Sequence, residues 1–356
     1  MTTELDHVRP VPVARDIVDQ IADSATDLDE GARNTRDNLA LLAHSGLLGL
    51  GAPDNHDHAL PKMAAVIAEL AGHCLSTAFS VWAHRMTLEY LTAAGTPWSL
   101  DAATALTGVG ALGVTGMASA FKDAAGCGSI EVSATPVGGG FRLDGTLRWA
   151  SNLYPDSIMV TAAQTESGDK IVVGLPLAAE GVTIGDHFEL LALGSTASSS
   201  VKLDGVYVGD DRVLSRDIAP FLADVRPTFL VLQSAMCVGL ARRCLDEVEP
   251  SLSGVNSAFA VEFDDLTAEL ADIEAQVDAY AAAVGGPGTP AKHDLLTLRL
   301  AAADTVSAAA ALEIRTAGGK GYARRTDAGR RFREAAFIPV QSPSEAQLRW
   351  ELRTGR

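Results

Sequence analysis

Apolar residues in the first hundred positions recur at intervals of three and four. Ile17, Ile21 and Leu28 follow this rule, and so does the run from Met63 to Leu70. Such spacing places the apolar side chains on one face of an α-helix. The pattern breaks at Gly95-Thr96-Pro97, as expected at a helix boundary. We therefore predict an N-terminal α-helical domain over residues 1–112.

From residue 113 to residue 213 the period changes to two. Residues 130–134 alternate between apolar and polar side chains, which is typical of a strand with one buried face. The sequence Val137-Gly138-Gly139-Gly140-Phe141 then supplies a hairpin turn. Further strands are predicted at residues 157–164, 170–175 and 199–208. The turn residues between them favour antiparallel connections, so we predict a central antiparallel, barrel-like β-domain over residues 113–215.

The helical period returns after residue 219. Three long helical segments are predicted at residues 221–248, 263–284 and 291–316. They are rich in alanine and are separated by breaks such as Gly285-Gly286-Pro287-Gly288. This predicts a C-terminal domain over residues 216–356 that resembles a four-helix bundle. The fold class is therefore α+β, in the order helical domain, β-domain, helical bundle.

Composition narrows the function. The net charge of −17 argues against nucleic acid or an anionic membrane surface as a partner, because both require clustered positive charge. The polar stretch Met1–Asp16 lacks the apolar core of a signal peptide. The uncharged run Ala102–Phe121 contains four glycines and reads as a helix end, a loop and a strand rather than a membrane span. The expectation is a cytoplasmic enzyme.

Several common sites are not predicted. The four cysteines form no CxxC pair and have no metal-ligand spacing, so no metal site is expected. The string Gly108–Gly113 matches GxGxxG, but it follows a helix and precedes strands, which reverses the context of a dinucleotide site. The sequence contains no P-loop, HExxH or GxSxG motif, so nucleotide triphosphatase and hydrolase functions lose their usual anchors.

Three segments together resemble one known family. They are Leu47-Leu48-Gly49-Leu50-Gly51-Ala52-Pro53, Arg148-Trp149-Ala150-Ser151-Asn152 and Gly318-Gly319-Lys320-Gly321-Tyr322. In this order, with the helical, β and helical domains, the chain resembles the acyl-CoA dehydrogenase superfamily. The resemblance implies a bound flavin, FAD or FMN, and an assembly into a homodimer or homotetramer. The substrate it implies is an acyl thioester or another small molecule.

The resemblance assigns flavin-binding roles to three central residues. Trp149 would lie against the isoalloxazine ring, where a flat aromatic side chain shields one face from water. Ser151 would hydrogen-bond the flavin near N5, with serine in place of the family's threonine, and Thr115 would bond the ring. Gly116 and Met117 replace the glutamate and proline that follow this threonine in the family. The alternative for Trp149 is a core tryptophan at a strand end.

The same resemblance places the cofactor's pyrophosphate at the glycine turn. Gly318, Gly319 and Gly321 lack side chains, so their backbone N–H groups can approach phosphate oxygens, often across a subunit boundary. Residues 315–356 carry ten Lys or Arg against four Asp or Glu, which predicts an anion-binding face. The alternative is a helix that ends at glycine and is followed by a solvated basic helix.

Two departures from the family concern phosphate and base. Asn256 stands where the family has an arginine that grips FAD phosphate, so the cofactor is held loosely, is FMN, or is shared with a different subunit. Gln341 stands where the family has its catalytic glutamate, and an amide is not a base. Val225 occupies the family's alternative position for the acid. His84 and Glu345 remain as candidate catalytic groups, although the alternative for His84 is an ordinary helix histidine.

Three functions stay open at this stage. The first is a flavin-dependent monooxygenase or oxidase that acts on a small molecule, because oxygen chemistry on reduced flavin needs a dry pocket more than a base. The second is an acyl-CoA or acyl-carrier dehydrogenase with a displaced base. The third is a non-catalytic subunit that supports an active homologue in a hetero-oligomer.

Overall fold

The computed structural model describes residues 13–53 and 55–355. The described part begins with helices that bury leucine, isoleucine and alanine side chains against one another. Residues 1–12 of the predicted N-terminal domain lie outside the described part. The first five helices are α1 Arg15–Asp29, α2 Arg36–His44, α3 Leu60–His73, α4 Leu75–Ala94 and α5 Pro97–Thr107.

A sheet of eight strands follows, interrupted near its start by the short helix α6 Ala118–Ala124. The strands are β1 Gly113–Gly116, β2 Val132–Val137, β3 Gly140–Ala150, β4 Ile158–Thr165, β5 Lys170–Pro176, β6 Val182–Ile184, β7 Ser199–Gly209 and β8 Val213–Ser215. Their order is β6-β7-β3-β2-β4-β5-β8, and β1 pairs with β4. Most pairs are antiparallel as predicted, but β4 pairs in parallel with both β1 and β2. Turn sequences do not reveal these two pairs, because parallel strands meet only through long connections.

The C-terminal domain is helical. Its helices are α7 Ile218–Val248, α8 Ala260–Ala283, α9 Lys292–Gly321, α10 Asp327–Ala335 and α11 Glu345–Thr354. By length and composition alone, α7 and α9 could each cross a membrane, but the apolar windows of the two helices are 83% and 61% buried inside the protein. Burial of this kind is typical of core helices. The predicted order of a helical domain, a β-domain and a helical bundle is confirmed.

The N-terminal helices and the bundle share one core. Helix α7 packs against both α3 and α9, and α3 and α7 approach so closely that a side chain on Gly239 would overlap the backbone of Ala68. The segment Leu47–Pro53 is held to α4 by Arg85, whose guanidinium donates to the carbonyl oxygens of Leu50 and Gly51 at 3.0 and 2.6 Å. The two helical domains therefore pack as one continuous unit, which supports the sheet.

Candidate functional site

One buried asparagine joins the strand ends on which the predicted flavin-binding hydroxyls lie. Asn152 lies two residues after the end of β3, and its Nδ2 donates to the carbonyl oxygens of Gly113 on β1 and Ser80 on α4, at 3.1 and 2.9 Å. A Cβ on Gly113 would lie 2.6 Å from the Cβ of Thr87, so only glycine fits against α4. The neighbours Thr115 and Ser151 are thereby brought to the same corner of the sheet.

His84 lies on the inner side of this corner and is fully buried. Its Nδ1 accepts a hydrogen bond of 3.1 Å from the backbone N–H of Gly113. Burial lowers the pKa of His84 to about 4, so the imidazole is neutral at pH 7. His84 is therefore a weak base enclosed between α4 and β1, and its predicted catalytic role stays a prediction.

The buried state of His84 predicts a pH effect on stability. An unfolded histidine has a pKa of about 6.5, so between that value and about 4 the unfolded chain binds a proton that the folded chain excludes. Stability should therefore fall on acidification, by roughly 2 kcal/mol from this residue between about pH 7.5 and pH 5. In His84→Asn, whose amide oxygen can still accept from Gly113, that part of the slope should vanish. Urea unfolding of both proteins at the two pH values measures it, and equal slopes would refute the assignment.

Thr115 is half-buried on β1 and has a hydroxyl neighbour that the sequence did not reveal. Its Oγ1 lies 3.2 Å from the phenolic oxygen of Tyr90, which is fully buried on α4. Burial raises the pKa of Tyr90, so the phenol stays protonated. No sequence motif marks Tyr90, because α4 is buried around most of its circumference and its residues show no polar face.

Trp149 is exposed, which excludes the alternative of a core tryptophan. Its side chain is 63% exposed, and its ring lies 4.3 Å, centroid to centroid, from the ring of Phe188. Phe188 belongs to an irregular segment before β7 and carries no motif, so sequence reasoning missed it. An indole that is fixed on one side and open on the other offers a flat surface for an aromatic ligand.

Ser151 heads a chain of hydroxyl groups. Its Oγ lies 2.6 Å from the Oγ of Ser198, which lies 2.8 Å from the Oγ1 of Thr196. Thr196 in turn donates to the carbonyl oxygen of Leu193 at 2.7 Å. Ser198 and Thr196 are buried, and neither was predicted, since they lie more than forty positions along the chain from Ser151.

The glycine turn lies at the far end of α9. Gly318 has a φ of 61°, a left-handed conformation that interrupts the helix and favours glycine. Side chains built on Gly318 or Gly319 would meet only open space, whereas one on Gly321 would lie 2.6 Å from the Cβ of Ala317. The backbone at Gly318 and Gly319 is thus open to a ligand. Within the described residues no hydrogen bond or ion pair joins this turn to Trp149 or Ser151.

The basic stretch from residue 315 onward is largely neutralised within the chain. Six of its arginines form ion pairs with carboxylates, and for Arg331 and Glu313 both partners are buried. The pairs are Arg315 with Glu262, Arg325 with Glu30, Arg330 with Glu334, Arg331 with Glu313, Arg333 with Asp29, and Arg349 with Glu345. The predicted anion-binding face is therefore corrected. Four of the six pairs join distant parts of the sequence, whereas Arg330–Glu334 and Arg349–Glu345 each lie within one helix.

Asn256 has a structural role in place of the family's phosphate-binding arginine. Its Nδ2 donates to the carbonyl oxygens of Thr316 and Ser251 at 2.9 and 3.2 Å, which ties the turn before α8 to the end of α9. Nearby apolar side chains are unusually open, with Val255 91% and Tyr322 87% exposed. This end of the bundle therefore presents apolar surface beside the exposed cations Lys320 and Arg324.

Gln341 is turned inward, toward a buried arginine. Arg299 on α9 is fully buried, and its Nη2 donates to the Oε1 of Gln341 at 3.3 Å and to the carbonyl oxygen of Ile338 at 3.2 Å. Its Nε donates to the Oε1 of Gln233 at 3.2 Å. Gln233 also donates to the carbonyl oxygen of Ser342. The loop between α10 and α11 is therefore pinned from beneath.

A small pocket lies on the other side of this loop. It is lined by Phe121, Arg226, Phe229, Leu230, Leu296, Pro343, Gln347 and Glu351. Glu351 accepts from the Nη1 of Arg226 and the Nζ of Lys292, each at 2.7 Å, and from the Nε2 of Gln347 at 3.0 Å. Burial alone would raise the pKa of Glu351, but these partners hold it below its usual range.

Glu345 does not reach the pocket. It is the first residue of α11, and its Oε1 accepts from the Nε of Arg349 at 2.7 Å on the partly exposed outer face. The role of Glu345 as a displaced base stays a prediction, with its carboxylate paired to Arg349 on this face. Among the described residues, no cluster of three or more His, Cys, Asp or Glu side chains is placed to hold a metal ion.

The sequence of this chain is similar to that of one known dehydrogenase. No protein-family model matches the sequence. Benzylmalonyl-CoA dehydrogenase of Aromatoleum aromaticum is 26% identical over 243 residues, a match that spans 64% of this chain and 62% of that enzyme. The chain thus covers less than two thirds of this curated relative.

Solved structures match over almost the whole chain. Butyryl-CoA dehydrogenase from Megasphaera elsdenii superposes with a TM-score of 0.85 at 16% identity, covering 100% of this chain and 99% of that one. The glutaryl-coenzyme A dehydrogenase complex with glutaryl-CoA gives 0.81 at 16% identity, with 96% and 95% covered. PigA with FAD and proline gives 0.80 at 14% identity, with 100% and 99% covered. The chain therefore has the fold of the acyl-CoA dehydrogenase superfamily, and the resemblance observed in its sequence is confirmed.

Proposed function

We propose that this chain is a flavin-dependent oxidoreductase that has lost acyl thioester dehydrogenation and acts on a small molecule as a monooxygenase or oxidase. The observation that carries the proposal is the loop between α10 and α11. Its glutamine, Gln341, points to Arg299, and its proline, Pro343, lines the pocket. Dehydrogenation needs a carboxylate beside the α-carbon of the substrate, and this loop contains none.

The residues fit a flavin. The open indole of Trp149 offers a stacking surface, and the hydroxyls of Thr115 and Ser151 lie on strand ends joined through Asn152. The exposed backbone at Gly318 and Gly319 suits a phosphate group. PigA, whose fold this chain shares, is described with FAD bound, which favours FAD over FMN. When bound in reduced form, the flavin would supply the electrons that activate molecular oxygen.

The remaining candidate proton acceptors support the proposed loss of dehydrogenation. Glu351 is the carboxylate in the pocket wall, but its ion pairs with Arg226 and Lys292 lower its basicity. His84 is enclosed and neutral, and Glu345 pairs with Arg349 on the outer face. A proton acceptor must lie within hydrogen-bond reach of the proton that it removes. Glu351 and Glu345 are held in ion pairs and His84 is enclosed, so none of the three is free for this role.

The name of the curated relative supports one alternative function. Benzylmalonyl-CoA dehydrogenase acts, by its name, on a coenzyme A ester, which favours an acyl thioester as the competing substrate class. Under that function, an acyl-CoA added anaerobically would bleach the bound flavin. Under the function proposed here, the flavin stays oxidised.

The deciding experiment follows from this contrast. The purified full chain is loaded with FAD or FMN and divided between two assays. We expect oxygen consumption that depends on an added flavin reductase and its nicotinamide donor, and no bleaching by a panel of acyl-CoA esters in the absence of oxygen. Bleaching would establish the dehydrogenase, and failure to bind either flavin in either redox state would refute both functions.

Apolar surface at the end of the bundle supports an assembly of subunits. Val255, Val261 and Tyr322 are 91%, 73% and 87% exposed, and two hydrogen bonds of Asn256 fix the turn that carries Val255. Exposed apolar groups of this size commonly mark protein contacts. We infer a homodimer or homotetramer that brings the glycine turn of one copy near another. A partner subunit of different sequence is the alternative, which light scattering of the lone chain decides.

A further inference from the structure

When its three contacts are all hydrogen bonds, the hydroxyl chain that starts at Ser151 has one arrangement of protons. Each serine or threonine hydroxyl carries a single proton and two lone pairs, whereas a carbonyl oxygen can only accept. The chain ends on the carbonyl oxygen of Leu193, so the proton of Thr196 must point there. Ser198 must then donate to Thr196, and Ser151 must donate to Ser198.

This arrangement leaves Ser151 without a proton for a ligand. Its single proton is directed into the protein, toward Ser198, at an oxygen-to-oxygen distance of 2.6 Å. The unused lone pairs of its Oγ are what it offers on the open side, where the side chain is only half-buried. Ser151 is therefore a hydrogen-bond acceptor for whatever lies against it.

The backbone around the hydroxyl chain is built to hold it. The N–H groups of Asn152 and Leu153 donate to the carbonyl oxygens of Thr196 and Ala197 at 2.8 and 3.1 Å. Asn152, Leu193 and Ala197 all have left-handed backbone conformations, with φ values of 61°, 61° and 47°. Such conformations are costly for residues other than glycine and persist where the surroundings enforce them, often at functional sites.

We propose that Ser151, fixed as an acceptor by Ser198 and Thr196, makes this site select reduced flavin over oxidised flavin. The inference rests on the proposed function, in which the flavin ring lies against Ser151. Oxidised flavin presents a lone pair at N5, and two acceptors facing each other form no hydrogen bond. Reduced flavin carries a hydrogen at N5 and can donate it to Ser151. The protein would therefore take up flavin that a separate reductase has reduced, and release it after oxidation.

Anaerobic binding measurements test this selection without any substrate. Dissociation constants for oxidised and reduced FAD are measured on the full chain by fluorescence or calorimetry. We expect the wild type to bind the reduced form about tenfold more tightly than the oxidised form, which is the effect of one well-placed hydrogen bond. For a two-electron couple, a tenfold preference raises the potential of the bound flavin by about 30 mV above that of free FAD.

Two variants should release the proton of Ser151. In Ser198→Ala the acceptor of that proton is gone, and in Thr196→Val the hydroxyl of Ser198 can turn to donate to Ser151. Both should bind oxidised FAD more tightly and bring the two dissociation constants to within about twofold. Ser195→Ala is the matched control, because Ser195 is an equally buried neighbour whose hydroxyl has no partner in the chain of bonds. It should keep the tenfold preference.

The outcomes separate the inference from the function on which it rests. Binding of both redox forms with equal affinity by the wild type would overturn the inference and leave a flavoprotein. An undiminished preference in Ser198→Ala and Thr196→Val would do the same. Absence of binding in either redox state would overturn the proposed function and the inference together.

Discussion

The Gln341→Glu variant is expected to be more stable than the wild type by about 2 kcal/mol and still unable to dehydrogenate an acyl thioester. In the wild type the guanidinium of Arg299 is fully buried, and its hydrogen bonds go to neutral acceptors, among them Gln341 and Gln233. The Nη1 of Arg299 and the Nε2 of Gln341 are both buried without a partner. A carboxylate at 341 would remove the unpaired amide donor and give the buried cation a bidentate partner.

The expected gain in stability arises because Arg299 is already desolvated in the wild type. Burying a second charge is costly, but that cost is offset when the first charge is already buried and the two meet in a good geometry. The pKa of the new carboxyl would be lowered by the arginine, so the added stability is present above the carboxyl's unfolded value of about 4.3 and is lost as pH falls through the folded value. Urea unfolding at pH 7 measures the difference.

Gln347→Glu provides a control with the opposite sign. Gln347 is as deeply buried as Gln341, but its Nε2 donates to the carboxylate of Glu351. The same chemical change there places two carboxylates side by side and removes a hydrogen bond, so it should destabilise by about 2 kcal/mol. If both variants were destabilised alike, Arg299 would not be directing its charge toward residue 341.

The functional part of the prediction depends on where the side chain at position 341 points, and not only on whether that side chain is a carboxylate. The simple view that this chain lost a base by one substitution predicts that Gln341→Glu restores it. Because the side chain at 341 accepts a hydrogen bond from Arg299 on α9, the restored carboxylate would be held by that guanidinium and would not be free to take a proton from a substrate. Anaerobic bleaching of the flavin by an acyl-CoA in this variant alone would show that residue 341 faces the substrate after all.

Regular periodicity explains why the fold was predictable. Apolar residues at intervals of three and four before residue 112 and after residue 216, with period two between them, were enough to place the helical domains and the sheet in order. The parallel partners of β4 were not predictable, because parallel pairing depends on the three-dimensional path of long connections. Periodicity did not reveal how deeply the side chains of α4 are buried. A helix that is buried nearly all round has no polar face from which the burial of His84 could be inferred.

The candidate site was predictable where a motif is contiguous and hidden where partners are distant. Trp149 and Ser151 lie in one short pattern, whereas Ser198, Thr196 and Phe188 come from the irregular segment before β7. Counting charges near the C-terminus correctly gave the excess of arginine. It did not predict that most of these arginines form ion pairs within the chain. The carboxylates that neutralise the arginines, such as Asp29 and Glu313, come from other helices. The direction of Gln341 belongs to an irregular loop, in which no periodicity fixes the side chain.

The pocket beside that loop depends on one carboxylate, and Glu351→Gln is expected to lower the free energy of unfolding by about 3 to 5 kcal/mol. The change leaves the nearly buried guanidinium of Arg226 without its carboxylate, while Lys292 is exposed enough to turn toward water. Glu345→Gln is the matched control on the same helix. Its ion pair with Arg349 is on the outer face and should contribute less than about 1 kcal/mol. Urea unfolding of the two variants at pH 7 makes the comparison. Equal losses would mean that the Arg226–Glu351 pair is as well solvated as the surface pair, and that the pocket floor is open to water rather than closed by a buried charge pair.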